Sequence, residues 1–489
     1  MTDANSPDLE RTDHDREEAV RQAIADGFPA TIADLTHLVR IPSVSWPAFD
    51  QAHVHDSAAA VAELFRETGV FESVELRQAP VEDGSRLGNP AVLATRAARN
   101  GRPTVLLYAH HDVQPPGEDA GWESAPYEPT VRGERLYGRG AADDKAGIMA
   151  HVASVRALSE AFGPDFDLGL AVFIEGEEEA GSLSFANFLE QNRDALAADV
   201  IIVADSSNWD VQTPALTVTL RGAVAFRLTV RTLDHAVHSG MYGGAVPDAM
   251  LALTRLLASF HGADGSVAVA GLTGAESDTP PYDETQLRAE TGLLDQVAPI
   301  GHGSILSRLW SQPAITVTGI DAPSVGNASN TLLPSVSARV SVRVAPGQTD
   351  EEARAVLEAH IAEHIPFGAQ YELSEFEMGN PFRVDTGGWA VPAAKQAMAD
   401  AWGVPAVEAG IGGSIPFIAD LVRVFPQAQI LVTGVEDPDS RAHSPNESLH
   451  LEVFRKSVLA EALLLARVNE RDTTASPTSE PGDLAAGER

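Results

Sequence analysis

The stretch 105–115, VLLYAHHDVQP, joins a short apolar run to three side chains that can bind metal ions or move protons. The apolar residues before Ala109 predict a buried strand, and the prolines that follow predict that it ends in a turn. Because side chains alternate across a strand, His110 and Asp112 should point the same way and His111 the opposite way. An imidazole and a carboxylate aimed into one cleft suit a metal site, although a buried histidine with an ion-pair partner gives the same pattern.

Two later apolar runs also end in acidic residues. LGLAVFIEGEEEAGS at 168–182 ends in a cluster that includes Glu178 and Glu179, and DVIIVADSSNW at 199–209 ends in Asp205. Acidic clusters are usually solvated surfaces, but these two follow strands that have the composition of buried ones. Carboxylates that converge on one point cannot all ionise without a cation between them. The pattern therefore predicts a metal centre at the carboxyl ends of parallel strands.

Two further carboxylates, Asp143 and Asp144, lie where the Gly-rich stretch LYGRGAADDKAG turns into a predicted helix that begins near 144–146. Aspartate at a helix start is commonly a cap, because its side chain accepts hydrogen bonds from unpaired backbone N–H groups. For these two residues taken alone, capping remains an alternative to metal binding.

Composition excludes several classes of function and site. The net charge of −36, from 34 basic and 70 acidic residues, argues against nucleic acid or an anionic membrane as a partner, because both require a positive surface. Without cysteine, a metal must be held by His, Asp and Glu, a set that suits Zn, Mn or Co. No apolar run reaches the ~20 residues of a membrane span, and the polar, acidic N-terminal stretch does not resemble a signal peptide. A cytoplasmic location is expected.

The order of predicted elements divides the chain into two domains and a tail. Residues 1–212 and 384–470 alternate strands and helices, which predicts an α/β domain with a central, mostly parallel sheet. Residues 213–383 begin with a long alternating run that predicts two antiparallel strands, and later strands flank two helices. This pattern predicts an inserted α+β domain with an antiparallel sheet. The polar composition of 471–489 predicts a disordered tail.

Eight segments between about 105 and 447 together resemble a known family. This is the family of dinuclear zinc metallopeptidases that includes carnosinase-type dipeptidases, acetylornithine deacetylase, succinyl-diaminopimelate desuccinylase and carboxypeptidase G. Each segment is a weak signal alone, but all eight occur in the order found in the family. The segments are YAHHDVQP, LYGRGAADDKAG, EGEEEAGS, VADSSNW, HSGMYGGAVP, NTLLPSVSARVSVRVAPG, GIGGSIP and AHSPNE.

The resemblance implies a role for each residue that matches the catalytic motifs. The implied metal ligands are His110, Asp143, Glu179, Asp205 and His443. Asp143 would bridge the two ions, Glu179 and His443 would share one of them, and Asp205 would bind the other.

Two more residues of these motifs would act beside the ligands. Asp112 would orient His110 from behind, and Glu178 would be the general base that activates water. Spacing alone does not separate Glu178 from Glu177; the match to the Ala-Gly-Ser that follows favours Glu178.

The resemblance further implies that 213–383 is a lid domain that also forms a homodimer. His238 would reach the neighbouring subunit's site and stabilise an oxyanion, while Asn330 and Arg343 would bind substrate. Gly413 and Ser414, with Gly412 before them, would close over the substrate's terminal carboxylate. Ordinary surface positions for His238, Asn330 and Arg343 remain the alternative.

The expected function is therefore metal-dependent hydrolysis of the amide bond of dipeptides, with two divalent ions, zinc first and Mn or Co as alternatives. The motif forms and the long inserted domain resemble the dipeptidase branch. An N-acyl-amino-acid deacylase with the same site is the alternative enzyme, and a non-catalytic peptide-binding relative is the alternative class. The expected partners are a small peptide or acyl-amino-acid substrate and a second copy of the chain.

Overall fold

A computed structural model describes residues 7–277, 279–412 and 416–471, which fold as two compact units. Unit 1 contains the chain up to Pro214, Gly388–Ala406 and the chain from Gln427 onward. Unit 2 contains Ala215–Gly387 and Val407–Pro426.

The described residues form thirteen α-helices. In chain order these are α1 Pro7–Val39, α2 Ala52–Glu67, α3 Lys145–Phe162, α4 Phe185–Gln191, α5 Arg193–Leu196, α6 Ser239–Tyr242, α7 Ala249–Ala258, α8 Glu284–Thr291, α9 Ile305–Trp310, α10 Asp350–His364, α11 Ala390–Trp402, α12 Pro416–Val424 and α13 Leu451–Glu470. None of the described helices has an apolar stretch long enough to cross a bilayer.

The same residues form eighteen strands. In chain order these are β1 Ser73–Arg77, β2 Ala91–Arg96, β3 Thr104–His110, β4 Thr130–Arg132, β5 Arg135–Tyr137, β6 Gly169–Glu175, β7 Val200–Val203, β8 Ala215–Leu220, β9 Gly222–Arg231, β10 Val237–His238, β11 Ala314–Asp321, β12 Thr331–Leu332, β13 Ser335–Val344, β14 Gln370–Gly379, β15 Phe382–Arg383, β16 Val407–Ile411, β17 Gln429–Val432 and β18 Ser448–His450.

Unit 1 is built on a mostly parallel sheet with the strand order β1-β2-β6-β3-β7-β17. The pairs β6–β3, β3–β7 and β7–β17 are parallel, and β1 and β2 add an antiparallel edge. Strands β3, β6 and β7 are buried along almost their whole length, which requires cover on both faces of the sheet. Their carboxyl ends therefore meet at one edge, where three acidic or imidazole-bearing segments begin.

Long helices pack around this sheet and against one another. Helix α3 contacts β3 as well as α1 and α13, and α11 contacts β17 and α13. The α1 helix ends at Val39, just before the IPSV segment, because proline disfavours helix in the residue before it. Buried Lys145, at the start of α3, donates hydrogen bonds to the carbonyls of Leu38 (2.9 Å) and Ile41 (2.6 Å) and thereby joins the two helices.

Unit 2 contains a four-stranded antiparallel sheet with the order β11-β13-β9-β14. Buried residues alternate with partly exposed ones along β9 and β13, so that one face carries the apolar core. Helices α7 and α10 contribute their buried apolar residues to this core. Unit 2 is thus an α+β unit inserted between parts of unit 1, as the sequence predicts.

Two features of unit 2 differ from the sequence predictions. The run 215–233 forms two strands, but they do not pair with each other, because β8 pairs with β15 and β16 whereas β9 joins the four-stranded sheet. Residues 407–426 were expected in the α/β domain. They group with unit 2 instead, because β16 forms a parallel ladder with β8. The predicted tail at 471–489 lies, from residue 472, outside the described residues.

Candidate metal centre

Unit 1 brings together five side chains that can bind metal ions, each presented by a different segment. His110 is the last residue of β3, and Glu179 lies in a short 3-10 helix, Glu178–Ala180, that follows β6. Asp205 follows β7 by two residues, and Asp143 lies in the bend just before α3. His443 lies between β17 and β18. Three of the five positions are thus set by the carboxyl ends of adjacent parallel strands.

These side chains form two clusters that share one carboxylate. His110, Asp143 and Asp205 form the first, and Asp143, Glu179 and His443 form the second; one ligand atom from each member lies within 4.8 Å of the others. Asp143 Oδ1 lies 3.1 Å from His110 Nε2, and its Oδ2 lies 3.0 Å from His443 Nε2. One carboxylate therefore faces both clusters, which is the arrangement needed to bridge two ions.

The other distances complete the two clusters. His443 Nε2 lies 3.3 Å from Glu179 Oε2, and His110 Nε2 lies 4.0 Å from Asp205 Oδ1. Glu179 is held in place by Gln114, whose backbone N–H donates to Oε1 (3.1 Å) and whose side-chain amide donates to Oε2 (2.7 Å).

Asp112 is fully buried behind His110 and is held by three donors from two segments. Its Oδ2 accepts hydrogen bonds from the Ser45 hydroxyl (2.6 Å) and the Glu179 N–H (3.0 Å), and its Oδ1 accepts one from the Glu178 N–H (3.1 Å). Asp112 Oδ1 also lies 3.4 Å from His110 Nδ1. A carboxylate in this position can fix the ring orientation and tautomer of a histidine whose other nitrogen binds a metal.

The neighbouring His111 points away from both clusters, as strand alternation predicts. Its Nε2 lies 2.8 Å from the Pro90 carbonyl, to which it donates in the neutral form, and burial lowers the pKa of His111 to about 4. His111 therefore lies outside both clusters and serves as a buried, neutral packing residue.

The three adjacent glutamates after β6 have distinct surroundings. The Glu177 carboxylate accepts hydrogen bonds from the backbone N–H groups of Ser184 (2.7 Å) and Asn89 (3.1 Å), so it is engaged in holding loops. The Glu178 carboxylate accepts no hydrogen bond from the described residues. Only Glu178 therefore combines a position beside the clusters with a carboxylate that is free to exchange a proton.

The electrostatics of the site call for cations. Burial raises the pKa of Glu178 and of Glu179 well above the usual range, and nearby carboxylates raise both further. Burial raises the pKa of Asp205 to about 6, with the negative charge of Asp143 adding to the effect. Burial alone would also raise the pKa of Asp143, but hydrogen bonds from His110 and His443 hold it well below its usual value.

The donor set also fits such ions. Two imidazoles and three carboxylates provide three donors per cluster, with one carboxylate shared, which suits borderline divalent cations such as Zn or Mn. Divalent cations would offset the negative charge that the protein's own residues leave uncompensated.

The structure also resolves the alternative of helix capping. Asp144 occupies the N-cap position of α3, but its side chain makes no capping hydrogen bond. Its Oδ2 instead accepts the His110 N–H (3.1 Å), so it supports the end of β3. Capping is therefore wrong for Asp144, and the Asp143 side chain faces the two clusters.

Sequence reasoning missed Glu447 and Arg139, a buried pair that holds the segment before Asp143. Glu447 is fully buried, accepts a hydrogen bond from Arg139 Nη1 (2.7 Å), and also accepts the backbone N–H groups of Gly140, Ala142 and Asp143 at 2.9–3.1 Å. Loss of one member of such a pair costs ~3–5 kcal/mol. A signal exists in the sequence, because Glu447 is the final residue of the AHSPNE segment that also contains His443.

The predicted substrate-binding residues that the structure describes, His238, Asn330 and Arg343, lie on separate segments of unit 2. His238 and Asn330 are neighbours, because β10 pairs with β12 and the Ser239 N–H donates to the Asn330 carbonyl (2.9 Å). Arg343 lies on β13, on the face of the sheet opposite the core. Gly412 directly follows β16, whereas Gly413 and Ser414 lie outside the described residues.

The histidine of this pair is exposed and oriented. The Gly240 N–H donates to Nδ1 of His238 (3.0 Å), which places the ring proton of the neutral form on Nε2. His238 therefore presents a hydrogen-bond donor at the surface of unit 2.

Comparison with known proteins agrees with this geometry. The sequence model described as Peptidase family M20/M25/M40 matches residues 106–467. The cysteinylglycine-S-conjugate dipeptidase of Corynebacterium striatum is 34% identical over 422 residues, which cover 85% of this chain and 90% of that protein. The Beta-Ala-His dipeptidase of Rattus norvegicus is 27% identical, with 80% of this chain and 83% of that protein covered.

Solved structures share the fold. Human carnosine dipeptidase 1 matches with a TM-score of 0.76 and 23% identity, over 93% of this chain and 99% of that chain. The dipeptidase Dug1p from Saccharomyces cerevisiae matches with a TM-score of 0.73 and 24% identity, over the same shares. Since the family model spans most of the sequence and carries the segments that build both clusters, the chain belongs to peptidase family M20/M25/M40.

Proposed function

We propose that this protein is a metal-dependent dipeptidase that hydrolyses the amide bond of free dipeptides. One observation carries the proposal: two three-donor clusters share Asp143, and the Glu178 carboxylate beside them accepts no hydrogen bond from the described residues. A protein that only binds peptides has no need of a general base. The names of the similar proteins, which are dipeptidases, support the same substrate class.

In this proposal the residues of unit 1 divide the work. His110, Asp143 and Asp205 would hold one divalent ion, and Asp143, Glu179 and His443 the other. Bound ions at such a site supply Lewis-acid stabilisation and a water of lowered pKa. Glu178 accepts a proton from the attacking water and delivers it to the nitrogen of the leaving amine. Asp112 keeps His110 in the orientation and tautomer that binding requires.

We propose zinc as the metal, with Mn or Co as alternatives, because the donors are imidazole and carboxylate only. Reloading the metal-free protein with each ion separately and measuring turnover would test this. Highest activity with an ion outside this group, such as Ca²⁺, would contradict it.

Unit 2 is proposed to contribute the substrate-binding residues. Arg343 suits a carboxylate because its guanidinium donates two parallel hydrogen bonds. Asn330, Gly413 and Ser414 would bind other polar atoms of the dipeptide, and His238 would donate to the oxyanion.

We also propose that unit 2 is a lid that forms a homodimer. Strand β11 is an edge strand of its sheet, and residues 316–321 are exposed, including the apolar Val317 and Ile320. Open apolar edges favour pairing with a second chain. Sedimentation equilibrium should give twice the mass of one chain, and a monomer at all concentrations would contradict the proposal.

We also propose that the enzyme is located in the cytoplasm. The reducing conditions there do not affect a chain that has no cysteine and therefore no disulfide bond. Cell fractionation tests this location.

A matched substrate panel tests the dipeptidase activity. The panel pairs free dipeptides with the N-acetyl forms of the same amino acids, with both sets at equal concentration and with the holoenzyme. We expect kcat/KM to be higher for the free dipeptides, including cysteinyl-glycine and β-alanyl-histidine. Preference for the acyl-amino acids would instead establish the alternative, an N-acyl-amino-acid deacylase with the same site.

A further inference from the structure

Arg221 is a buried arginine at the point where the chain leaves β8 and enters β9. The residue is only 8% exposed. Nε donates to the Gly412 carbonyl (3.0 Å), and Nη1 donates to the carbonyls of Arg308 and Gln312 (both 3.3 Å). One guanidinium thus joins the residue after β16 to the end of α9, all within unit 2.

The contact with Gly412 is close. A Cβ atom on Gly412 would lie 2.8 Å from Arg221 Nη2 and 3.0 Å from the Leu309 carbonyl oxygen. A side chain at Gly412 would therefore require the Arg221 guanidinium to move. The Arg221 backbone N–H also donates to the carbonyl of Ile411 (3.3 Å). Both the backbone and the side chain of Arg221 therefore set the position of the two residues that precede Gly413.

The charge of Arg221 is not balanced by its own contacts. All three acceptors are neutral carbonyls, and no carboxylate among the described residues lies within ion-pair distance of the guanidinium. Burial, together with the positive charge of Arg343, lowers the pKa of Arg221 to about 10. Arg343 pairs across the sheet with Ala223, two residues after Arg221. The side chains of Arg221 and Arg343 therefore lie close enough for their positive charges to interact.

A purely structural role does not account for this arrangement. A neutral glutamine could donate to carbonyls at the same junction without the cost of burying a charge near a second cation. A buried cation such as the Arg221 guanidinium becomes favourable when an anion binds nearby, because the attraction between opposite charges is strong in a partly buried site.

We propose that Arg221 is a positioning residue for recognition of the dipeptide's terminal carboxylate. Its guanidinium fixes the Gly412 carbonyl, and its charge adds to that of Arg343 in attracting the carboxylate. The proposal rests on the proposed function, in which Arg343 binds that group.

The test compares each dipeptide with its C-terminal amide, which lacks the negative charge. In the wild-type holoenzyme the free dipeptide should have the higher kcat/KM. Arg221→Gln should lower kcat/KM for the dipeptide by ~10-fold or more, mainly through KM, because a charge-assisted interaction is lost. The same substitution should change kcat/KM for the amide much less, and Arg221→Lys, which keeps the charge, should give a smaller loss than Arg221→Gln.

Two further variants separate positioning from folding. Arg288 also donates to two backbone carbonyls of unit 2, those of Leu294 and Val297, so Arg288→Gln is a matched control that should leave the dipeptide-to-amide ratio unchanged. Gly412→Ala displaces the guanidinium without removing its charge. It should lower the ratio even if Arg221→Gln fails to fold. Metal content and thermal melting identify variants that remain folded.

An unchanged dipeptide-to-amide ratio in folded, metal-loaded Arg221→Gln, or no preference for the free dipeptide in the wild type, would overturn the proposal. If Arg221→Gln does not fold, an unchanged ratio in Gly412→Ala has the same consequence. Failure of the dipeptidase proposal would look different, because the wild type would then prefer N-acyl-amino acids to dipeptides. The carboxylate-to-amide ratio can still be measured on those substrates.

Discussion

The two units hold their candidate functional residues in contrasting ways. In unit 1, His110 and Asp112 are buried, and hydrogen bonds from several segments fix the Asp112 and Glu179 carboxylates. In unit 2, His238 lies exposed on a two-residue ladder, and Asn330, also exposed, directly precedes the second strand of that ladder. The arrangement in unit 1 brings together carboxylates whose negative charges repel one another. The arrangement in unit 2 exposes hydrogen-bond donors to solvent.

The difference shows which part of the proposed chemistry each unit can perform by itself. A metal centre needs donors held within a fraction of an ångström, and buried hydrogen bonds provide that precision. Exposed donors keep more freedom, and a substrate or a second chain that covers them must restrict this freedom at a cost in entropy. Substitutions in unit 1 should therefore affect metal binding and proton transfer, whereas those in unit 2 should affect substrate and transition-state binding.

The largest effect is expected at Glu178. Glu178→Gln removes the proposed general base, so kcat should fall ~10⁴-fold. Because Glu178 is not among the proposed ligands, metal analysis should still find both ions. The adjacent Glu177→Gln is the matched control. It weakens the hydrogen bonds that Glu177 accepts from the backbone N–H groups of Ser184 and Asn89, so it should lower thermal stability while kcat stays near wild type. Loss of metal from Glu178→Gln would reassign this residue as a ligand.

A smaller but still large effect is expected at His238. His238→Ala removes a proposed oxyanion donor, so kcat should fall ~10²–10³-fold with both ions retained. If His238 acts in the partner's site, mixing His238→Ala with Asp112→Ala subunits should restore activity. At equal mixing and random pairing, each mixed dimer has one complete site, so about a quarter of wild-type activity is expected. No recovery from a mixture that forms mixed dimers would place His238 in its own chain's site or outside catalysis.

Much of the unit 1 site could be predicted from the sequence, because most of its functional residues lie directly beside the patterns that predict their strands. The apolar runs that become β3, β6 and β7 are each followed directly by their functional residues, and parallel order brings their ends together. Strand alternation likewise predicts that His110 and His111 face opposite ways, as the structure shows.

The contacts that sequence reasoning missed join residues far apart in the chain. Glu447 binds the backbone of Asp143 across 304 residues, and no local pattern reports such a pairing. The same reason explains the assignment of 407–426, since the alternation of β16 indicates a strand but not that β8 is its partner. Arg221 was missed because a lone arginine between two strands has no periodicity to mark its burial.

The smallest of the three effects, at Asp112, tests the contrast between the units most directly. Asp112→Asn keeps the shape of the side chain, but its amide nitrogen cannot accept the N–H groups of Glu178 and Glu179 and the Ser45 hydroxyl as the carboxylate does. Metal affinity should fall ~10–100-fold, as it does when a residue that orients a ligand is changed. Competition titration with a chelator measures this, and His238→Ala should leave the affinity unchanged. If the two substitutions lowered metal affinity equally, metal binding would depend on both units, and the buried residues of unit 1 would not be sufficient to hold the ions.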